Sequence, residues 1–535
     1  MEDDIAQLVK PNNLKKMNFF PPLGIVDPVL YDKLPTITSN AIINATEPID
    51  IFLELFPIAL IEKITYFSNL YKNTKDGQSV KDFEPHEIVK FFGLMIAHGV
   101  LAWSSGVTKN WRKDTHSSGL FPVGSWGIYL SRDRFQEISS YIRFNDNSII
   151  PKGEKIYKIR ILIDILNTTF QKSYKLGTHC SFDEGTWATK SRYAHSKQYN
   201  PMKPHKWELK VFMLCCPRSG FCTRFEVYQG KAANQEDYKE KFAGPQALLR
   251  NVQHLKNSKR VIYCDRYYTS ISLFIQLLSL GLYVVGTTKT NVCGFPKSLL
   301  MKPKTEERGT IKILSTQILN LGFLLVYSWM DTKPVYMIST AYADHPTILK
   351  RRKVGGEKMN VNAILPILMY QNSMGGVDLN DFLRMSIYCI QSKIKFRKWY
   401  KMCFSAALDL VITNAYVLWN FIHKNSSTKL DHGQFMEKLA IQLLEYKFTS
   451  AILTRSSDVA NTSTSLHSYH EYQIGEGYNG QYRNQKKCFV CSRSSKYYCT
   501  KCKVTICIKI NKKNNMTCFD FIHTDKKQLE KYIEN

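Results

Sequence analysis

Between Cys180 and Thr287 the apolar positions fall into short runs of strand length, separated by turn residues and by two stretches of helical spacing. Cys180-Ser181-Phe182-Asp183-Glu184-Gly185-Thr186 reads as the end of a strand that delivers a carboxylate, with a glycine just behind it. Glu208 to Cys215 is a second strand, and Pro217-Arg218-Ser219-Gly220 a turn. Cys222 to Tyr228 is a third strand, with period-two alternation at its centre. Gln235 to Val252 has helical spacing, and Lys259 to Asp265 is a fourth strand. Thr269 to Leu280 is a helix, with Thr269 or Ser270 as N-cap and Gly281 just past its end. Leu282 to Thr287 is a fifth strand. The order β-β-β-α-β-α-β, with acids on the first and fourth strands, predicts an α/β fold with a ribonuclease-H-like core. There the first and fourth strands lie side by side, so Asp183 and Asp265 meet.

The flanks have other periods. Upstream, Leu60, Ile61, Ile64, Phe67 and Leu70 make one face of a helix that Pro57 can open. Glu84-Pro85-His86-Glu87 opens a second, through Phe91, Leu94 and Met95, and Arg132 to Phe144 is a third. Residues 1–46 carry no clear periodicity and read as an extended arm. Downstream, Leu321 to Tyr327 and Val335 to Thr340 flank Asp331-Thr332-Lys333-Pro334, a strand–turn–strand signal. Leu408 to Trp419 is an apolar helix, and the Ser-, Thr-, Gly- and Tyr-rich residues 451–486 read as a linker. No apolar run is read as a membrane span and the N-terminus has no signal-peptide core, so an intracellular protein with no membrane partner is expected.

A third acidic position follows Gly375-Gly376, which lets the chain turn tightly into a helix start. Asp378 and Asp381 are three apart and share a helix face. Alone, Asp378 reads better as a capping acid, favoured by the helix dipole. Together with Asp183 and Asp265 it completes what a two-metal phosphoryl-transfer site needs. Two hard divalent cations roughly 4 Å apart, held by carboxylates, clamp the attacking and leaving oxygens.

Charge narrows the partner. The 535 residues hold 73 Lys+Arg against 45 Asp+Glu, a net +28, which implies a polyanion, nucleic acid before membrane. The cations cluster. Residues 186–206 hold Lys190, Arg192, Tyr193, His195, Lys197, Tyr199, Lys203, His205 and Lys206 beside the first acid. They read as a loop whose cations grip phosphates and whose tyrosines stack on bases, or else as a solvated hairpin. Lys393-Ile394-Lys395-Phe396-Arg397-Lys398-Trp399-Tyr400-Lys401 interleaves cations with aromatics in the same way, or else is a snorkelling helix face, with Trp399 expected in the core and the cations outside it.

Six of the 14 cysteines lie between Cys488 and Cys518. Cys488, Cys491, Cys499, Cys502, Cys507, Cys518 and His523 form C-x2-C-x7-C-x2-C-x4-C-x10-C-x4-H. Paired thiolates at this spacing fit Zn2+, which replaces the core so short a module cannot build.

These residues resemble the piggyBac transposases. The matching stretches are SFDEGTW with YNPMKPHKWELKVFMLC, CDRYYTS followed by VVGTTKTN, WMDTKPVYMIST and MGGVDLNDFL. SRDRFQEISSYIRFND matches upstream and RKWYKMCFSAALDLVITNAYVLW downstream, all in family order from about Glu47 to the C-terminus. The resemblance implies a nuclear cut-and-paste transposase acting on double-stranded DNA, at element terminal repeats and a TTAA target, through a hairpin intermediate and as a homodimer. It implies a triad of Asp183, Asp265 and Asp378 holding Mg2+ (or Mn2+), with Asp381 as a supporting fourth acid. With the family match, catalysis becomes the stronger reading of Asp378. It makes Lys190, Arg192, Lys203, Lys206, Lys289, Lys393, Lys395, Arg397 and Lys398 candidates for DNA contact; Val292 stands where some members carry a further cation. The tail resembles the family's cross-brace zinc domain, which carries two ions. It offers seven ligands of the eight, because no histidine stands near Ile510; a ubiquitin-ligase RING is the minor reading.

The expected organisation is an N-terminal extension (1–46), then a helical dimerisation and DNA-binding domain split between 47–178 and 388–450. The core is split between 179–290 and 360–387, around a β-rich insertion at 291–359. A linker (451–486) and a zinc module (487–535) follow. The rival function is a domesticated DNA-binding protein that no longer cuts. A third reading places function in the tail alone, as a zinc-dependent interaction module.

Overall fold

In a computed structural model of the chain the alternating segments form strands. The first is β1 (His179–Ala188), followed by β2 (Trp207–Cys215) and β3 (Cys222–Val227). Then come β4 (Val261–Cys264) and β5 (Tyr283–Thr287). The structure describes residues 2–448 except 77–80, 102–105, 112–125, 149, 152, 195, 203–205, 231–242, 353–355, 386, 425 and 427–428; beyond 448 it describes six short strands between Tyr472 and Thr517. It divides into two units, residues 1–447 and 448–535.

β2 pairs antiparallel with both β1 and β3, while β4 lies between β1 and β5 and is parallel to both. The sheet does not stop at β5. β6 (Ile311–Ile318), β7 (Gly322–Met330) and β8 (Pro334–Ser339) continue it, with β8 antiparallel to β5. The strand–turn–strand signal around Asp331 is thus part of the central sheet. A separate hairpin, β9 (Pro346–Arg352) with β10 (Lys358–Ile364), runs directly into the next helix.

Helices wrap this sheet. Before it come α1 (Pro48–Leu55), α2 (Ile58–Asp76), α3 (Pro85–Val100), α4 (Arg132–Tyr141) and α5 (Arg160–Ser173). Within and after it come α6 (Ala243–Val252), α7 (Ile271–Ser279), α8 (Leu365–Ser373), α9 (Gly376–Arg384), α10 (Trp399–Ile422) and α11 (His432–Glu445). Ser270 caps α7 by accepting from Leu273 N, and Gly281 takes the positive φ of +66° beyond its end. Phe144 stacks on Phe404 and Phe92 packs against it at a tilt, which joins α10 to the N-terminal helical region; each such buried ring contributes about 1.5–3 kcal/mol.

Two sequence expectations change. α10 runs much further than Leu408–Trp419 and is long and apolar enough to cross a membrane, contrary to the reading that no such run exists. Of its apolar window 94% is buried inside the protein, so it is a core helix whose apolar character serves packing on all sides. The N-terminal arm starts with two short helices, Glu2–Leu8 and Pro11–Lys15, and only then extends. Phe20 and Ser315 then exchange backbone hydrogen bonds of 2.8 and 2.7 Å, covering the outer edge of β6. The described part of the tail includes Cys499, at the end of a strand paired with Tyr472–Ile474. Cys488, Cys491, Cys502, Cys507, Cys518 and His523 lie outside the described residues.

Candidate active site

β1 outruns its parallel neighbour. Its pairing with β2 continues to Ala188, whereas its register with β4 ends at Phe182 opposite Cys264. Asp183 and Asp265 are each the next residue, so adjacent parallel strands release two carboxylates at the same level. Alternation puts Phe182 into the core against Tyr268, at 4.9 Å between ring centroids, and Asp183 on the opposite face.

The two acids are poorly solvated and repel each other. Burial first, then the charges of Glu184 and Asp265, push the Asp183 carboxyl up to about 8. Burial and Glu184 also raise Asp265, against the opposing hydrogen bond from Tyr267 N (2.8 Å) and the charge of Lys210. Glu184 is itself ion-paired with Lys210, whose ammonium lies 4.0 Å from the Tyr267 ring centroid. The acids reach Tyr370 on α8, where burial above all raises the phenol and Asp265 and Asp183 add to it.

The open edge of β1 beyond Phe182 is filled by side chains of α9 and, at Ala188, by one from the short helix Ile390–Lys393 that follows it. Asp381 Oδ2 accepts from Thr186 N at 3.1 Å, and Arg384 Nη2 donates to Thr186 O at 2.6 Å and to Asp381 Oδ1 at 2.7 Å. Gln391 Nε2 donates to Ala188 O at 2.9 Å. The helix thereby stands in for the missing strand, meeting backbone groups that burial would otherwise penalise. At its start, Ser181 Oγ donates to Met374 O and accepts from Gly376 N (3.2 Å).

Two glycines permit this approach. A Cβ at Gly376 would lie 2.8 Å from Ser181 Cβ, and one at Gly185 would lie 2.2 Å from Met213 Sδ. Gly375, expected to make the tight turn, has φ −75°, which any residue adopts; the need for glycine is at 376 and is steric.

Asp378 is exposed on the first turn of α9, while Asp381 is turned inward onto β1. Among the described residues no three His, Cys, Asp or Glu side chains converge on a point that could hold a metal ion. Asp183 and Asp265 form the pair that is assembled. Sequence reasoning missed Ser181, Arg384 and Gln391. Arg384 was signalled only by its i,i+3 spacing from Asp381.

Lys190, Arg192, Lys206, Lys289, Lys395, Arg397 and Lys398 are all exposed, and Lys203 lies outside the described residues. The two basic segments touch, for Ser191 Oγ donates to Arg397 O at 3.4 Å. Lys393 differs from the rest of its run. Its ammonium donates to Gly99 O (2.7 Å) and Leu101 O (3.3 Å), at the negative end of α3. Trp399 is half-buried at the start of α10.

Comparison with known proteins follows the same segments. Residues 47–416 match the family model described as Transposase IS4. The chain is 26% identical over 483 residues to PiggyBac transposable element-derived protein 3 of Homo sapiens, covering 87% of this chain and 75% of that protein. It is 28% identical over 301 residues to PiggyBac transposable element-derived protein 2 of Homo sapiens, covering 54% of this chain and 48% of that protein. Its fold is similar to that of a piggyBac transposase solved by cryo-EM in a synaptic complex with hairpin DNA. The TM-score is 0.62 at 20% identity, over 91% of this chain and 99% of that one.

Proposed function

From the premise that this chain belongs to the piggyBac transposase family, we propose that it is a DNA transposase. It would excise and integrate an element at TTAA by metal-dependent phosphoryl transfer through a hairpin intermediate, on a ribonuclease-H-like core. The observation that carries the reading is the meeting of Asp183 and Asp265, two half-buried acids whose carboxyls are raised by burial and like charge. That arrangement is costly for a purely structural pair and fits a divalent cation, whose charge offsets the repulsion and whose preference is for carboxylate oxygen.

Asp183 and Asp265 would hold Mg2+ or Mn2+, with Asp378 as the third ligand. When bound, a metal pair supplies activation of the attacking oxygen and stabilisation of the leaving one. Asp381, tied to Thr186 N and Arg384, sets the position of α9 and so of Asp378. The exposed cations at Lys190, Arg192, Lys206, Lys289, Lys395, Arg397 and Lys398 would hold phosphates in register with the acids. The structural relative was solved with hairpin DNA in a synaptic complex, which supports DNA as partner; a homodimer as the working unit is part of the same proposal. A nuclear location and a zinc-bound tail belong to the same reading.

The test is Asp265→Asn, which removes a charged ligand at constant size. End binding should persist and strand cleavage should be lost with Mg2+ and with Mn2+; cleavage near the wild-type rate would sink the assignment. A second reading, a DNA-binding protein that no longer cuts, is favoured by the absence of a converged three-acid cluster among the described residues. It predicts no cleavage by the wild-type chain in the same assay.

A further inference from the structure

A groove of about 370 Å3, lined by none of the candidate acids, opens where residues 155–158, 193–196 and 398–400 meet beside Leu209 of β2. Its walls include Lys155, Tyr157, Lys158, Tyr193, Lys398 and Trp399. Lys158 Nζ lies 5.5 Å from the Tyr157 ring centroid and 5.4 Å from that of Tyr400, in cation–π range of both. Tyr193 is 53% exposed, and the Arg192 guanidinium lies 4.9 Å from its ring centroid and donates to its hydroxyl at 2.8 Å. Among the described residues no carboxylate pairs with Lys155, Lys158 or Lys398; the acid nearest in sequence, Glu154, is taken by Arg160. The positive end of α10, with Lys398 at an N-cap that no side chain satisfies, adds to the local field.

Cations without a carboxylate call for an anion, and the exposed ring of Tyr193 beside the half-buried Trp399 calls for a flat π-system. Paired duplex supplies only the first, since its bases are covered by their neighbours. An unstacked nucleotide supplies both, and the volume is at the small end of the ~300–1,000 Å3 typical of ligand pockets. The groove is continuous with the DNA surface already proposed, because Tyr193 belongs to the 186–206 segment and Lys398 to the 393–399 run, which touch through Ser191 and Arg397. We infer that it takes a single extrahelical nucleotide of the bound DNA, with the base against the aromatic side chains and its phosphate on the lysines. The inference rests on the DNA-binding part of the proposed function.

The experiment uses the full chain and two short duplexes, one fully paired and one with a single bulged 5-iododeoxyuridine. The wild type should bind the bulged duplex about tenfold more tightly, and ultraviolet light should join the bulge to Tyr193 or Trp399. Tyr157→Ala with Lys158→Gln, neither of which belongs to the basic segments, should abolish that preference and leave affinity for the paired duplex within about twofold. Equal affinity of the wild type for both duplexes overturns the groove and leaves the transposase reading intact. So does a preference that survives in the double variant. Failure to bind either duplex overturns the DNA reading and the groove with it.

Discussion

Asp381 is the residue at which position and chemistry can be separated. Its carboxylate bonds Thr186 N and Arg384, and the Arg384 side chain is 0% exposed against 21% for Asp381. Asp381→Ala therefore leaves a fully buried guanidinium without its counter-charge and a strand N–H without its acceptor. Removal of one partner of a buried pair costs about 3–5 kcal/mol. Water can reach the gap on the exposed side of Asp381, so the low end, about 3 kcal/mol, is expected. Asp381→Asn keeps one carbonyl oxygen for Thr186 N or Arg384 and should cost about 1–2 kcal/mol. Replacing the pair together, as Asp381→Leu with Arg384→Met, removes the stranded charge and should recover most of the loss. Urea denaturation of the metal-free chain gives the order: wild type, Asn, then Ala, with the double variant well above Ala. An Asp381→Ala midpoint equal to wild type would refute the argument that this acid holds α9 to β1. If cleavage were then lost at unchanged stability, Asp381 would have to act on the reacting groups themselves.

The remaining expectations follow from the same side chains. The Asp183 carboxyl is pushed up to about 8 in the fold from the ordinary aspartate value of 3.8, so the folded state binds the extra proton; metal-free stability should fall as pH rises from 3.8 towards 8. Asp183→Asn should flatten that fall and, in EDTA at the upper end of this range, melt above wild type, an order that added Mg2+ should narrow or reverse; a parallel pH curve for the variant would contradict it. Neutralising Lys395, Arg397 and Lys398 should weaken binding to DNA of any sequence and lower the salt slope by roughly one per lost phosphate contact; an unchanged slope would put these cations away from phosphate. Cys499→Ser with Cys502→Ser should abolish end-specific binding while sparing non-specific binding. Zinc content of the intact chain should be two ions if an eighth ligand exists and about one if it does not; terminal-repeat binding at wild-type strength by the double-serine protein would remove the tail from end recognition.

What the sequence carried was local. The period-two runs, the turn at Pro217–Gly220 and the caps at Ser270 and Gly281 are decided by residues within a few positions of one another. The strands and the level of Asp183 and Asp265 follow from them. What it did not carry was assembled at long range. That β1 needs a substitute partner beyond Phe182 depends on where β4 ends, some eighty positions later. That α9 supplies it depends on Gly376 passing within contact of Ser181. The inward turn of Lys393 depends on α3 ending beside it, and its own stretch reads as uniformly basic and aromatic. α10 was underestimated because its first turn carries Lys401, which a periodicity reading places in water. Lys401 is buried and donates to the carbonyls of Ser139 and Ser140 at the end of α4.

These long-range contacts bear on why Asp378, the proposed third acid, is on a helix. A strand beside β1 beyond Phe182 would pair its edge and close the space in front of Asp183. A helix satisfies the same edge with Asp381 and Arg384, whose side chains reach Thr186 from a distance, and leaves that face open. The helix also advances by 3.6 residues per turn, so when Asp381 faces the strand, Asp378 lies almost one turn earlier, at the start of α9. Ser181, two residues before Asp183 on the same face of β1, fixes that start through Gly376 N. Asp183 and the first turn of α9 are therefore referenced to one strand, and Asp265 to the strand in register with it. A change at Ser181, Gly376 or Arg384 moves Asp378 relative to the other two acids without touching any of them. Such variants should impair cleavage more than DNA binding, since the exposed cations sit on other segments.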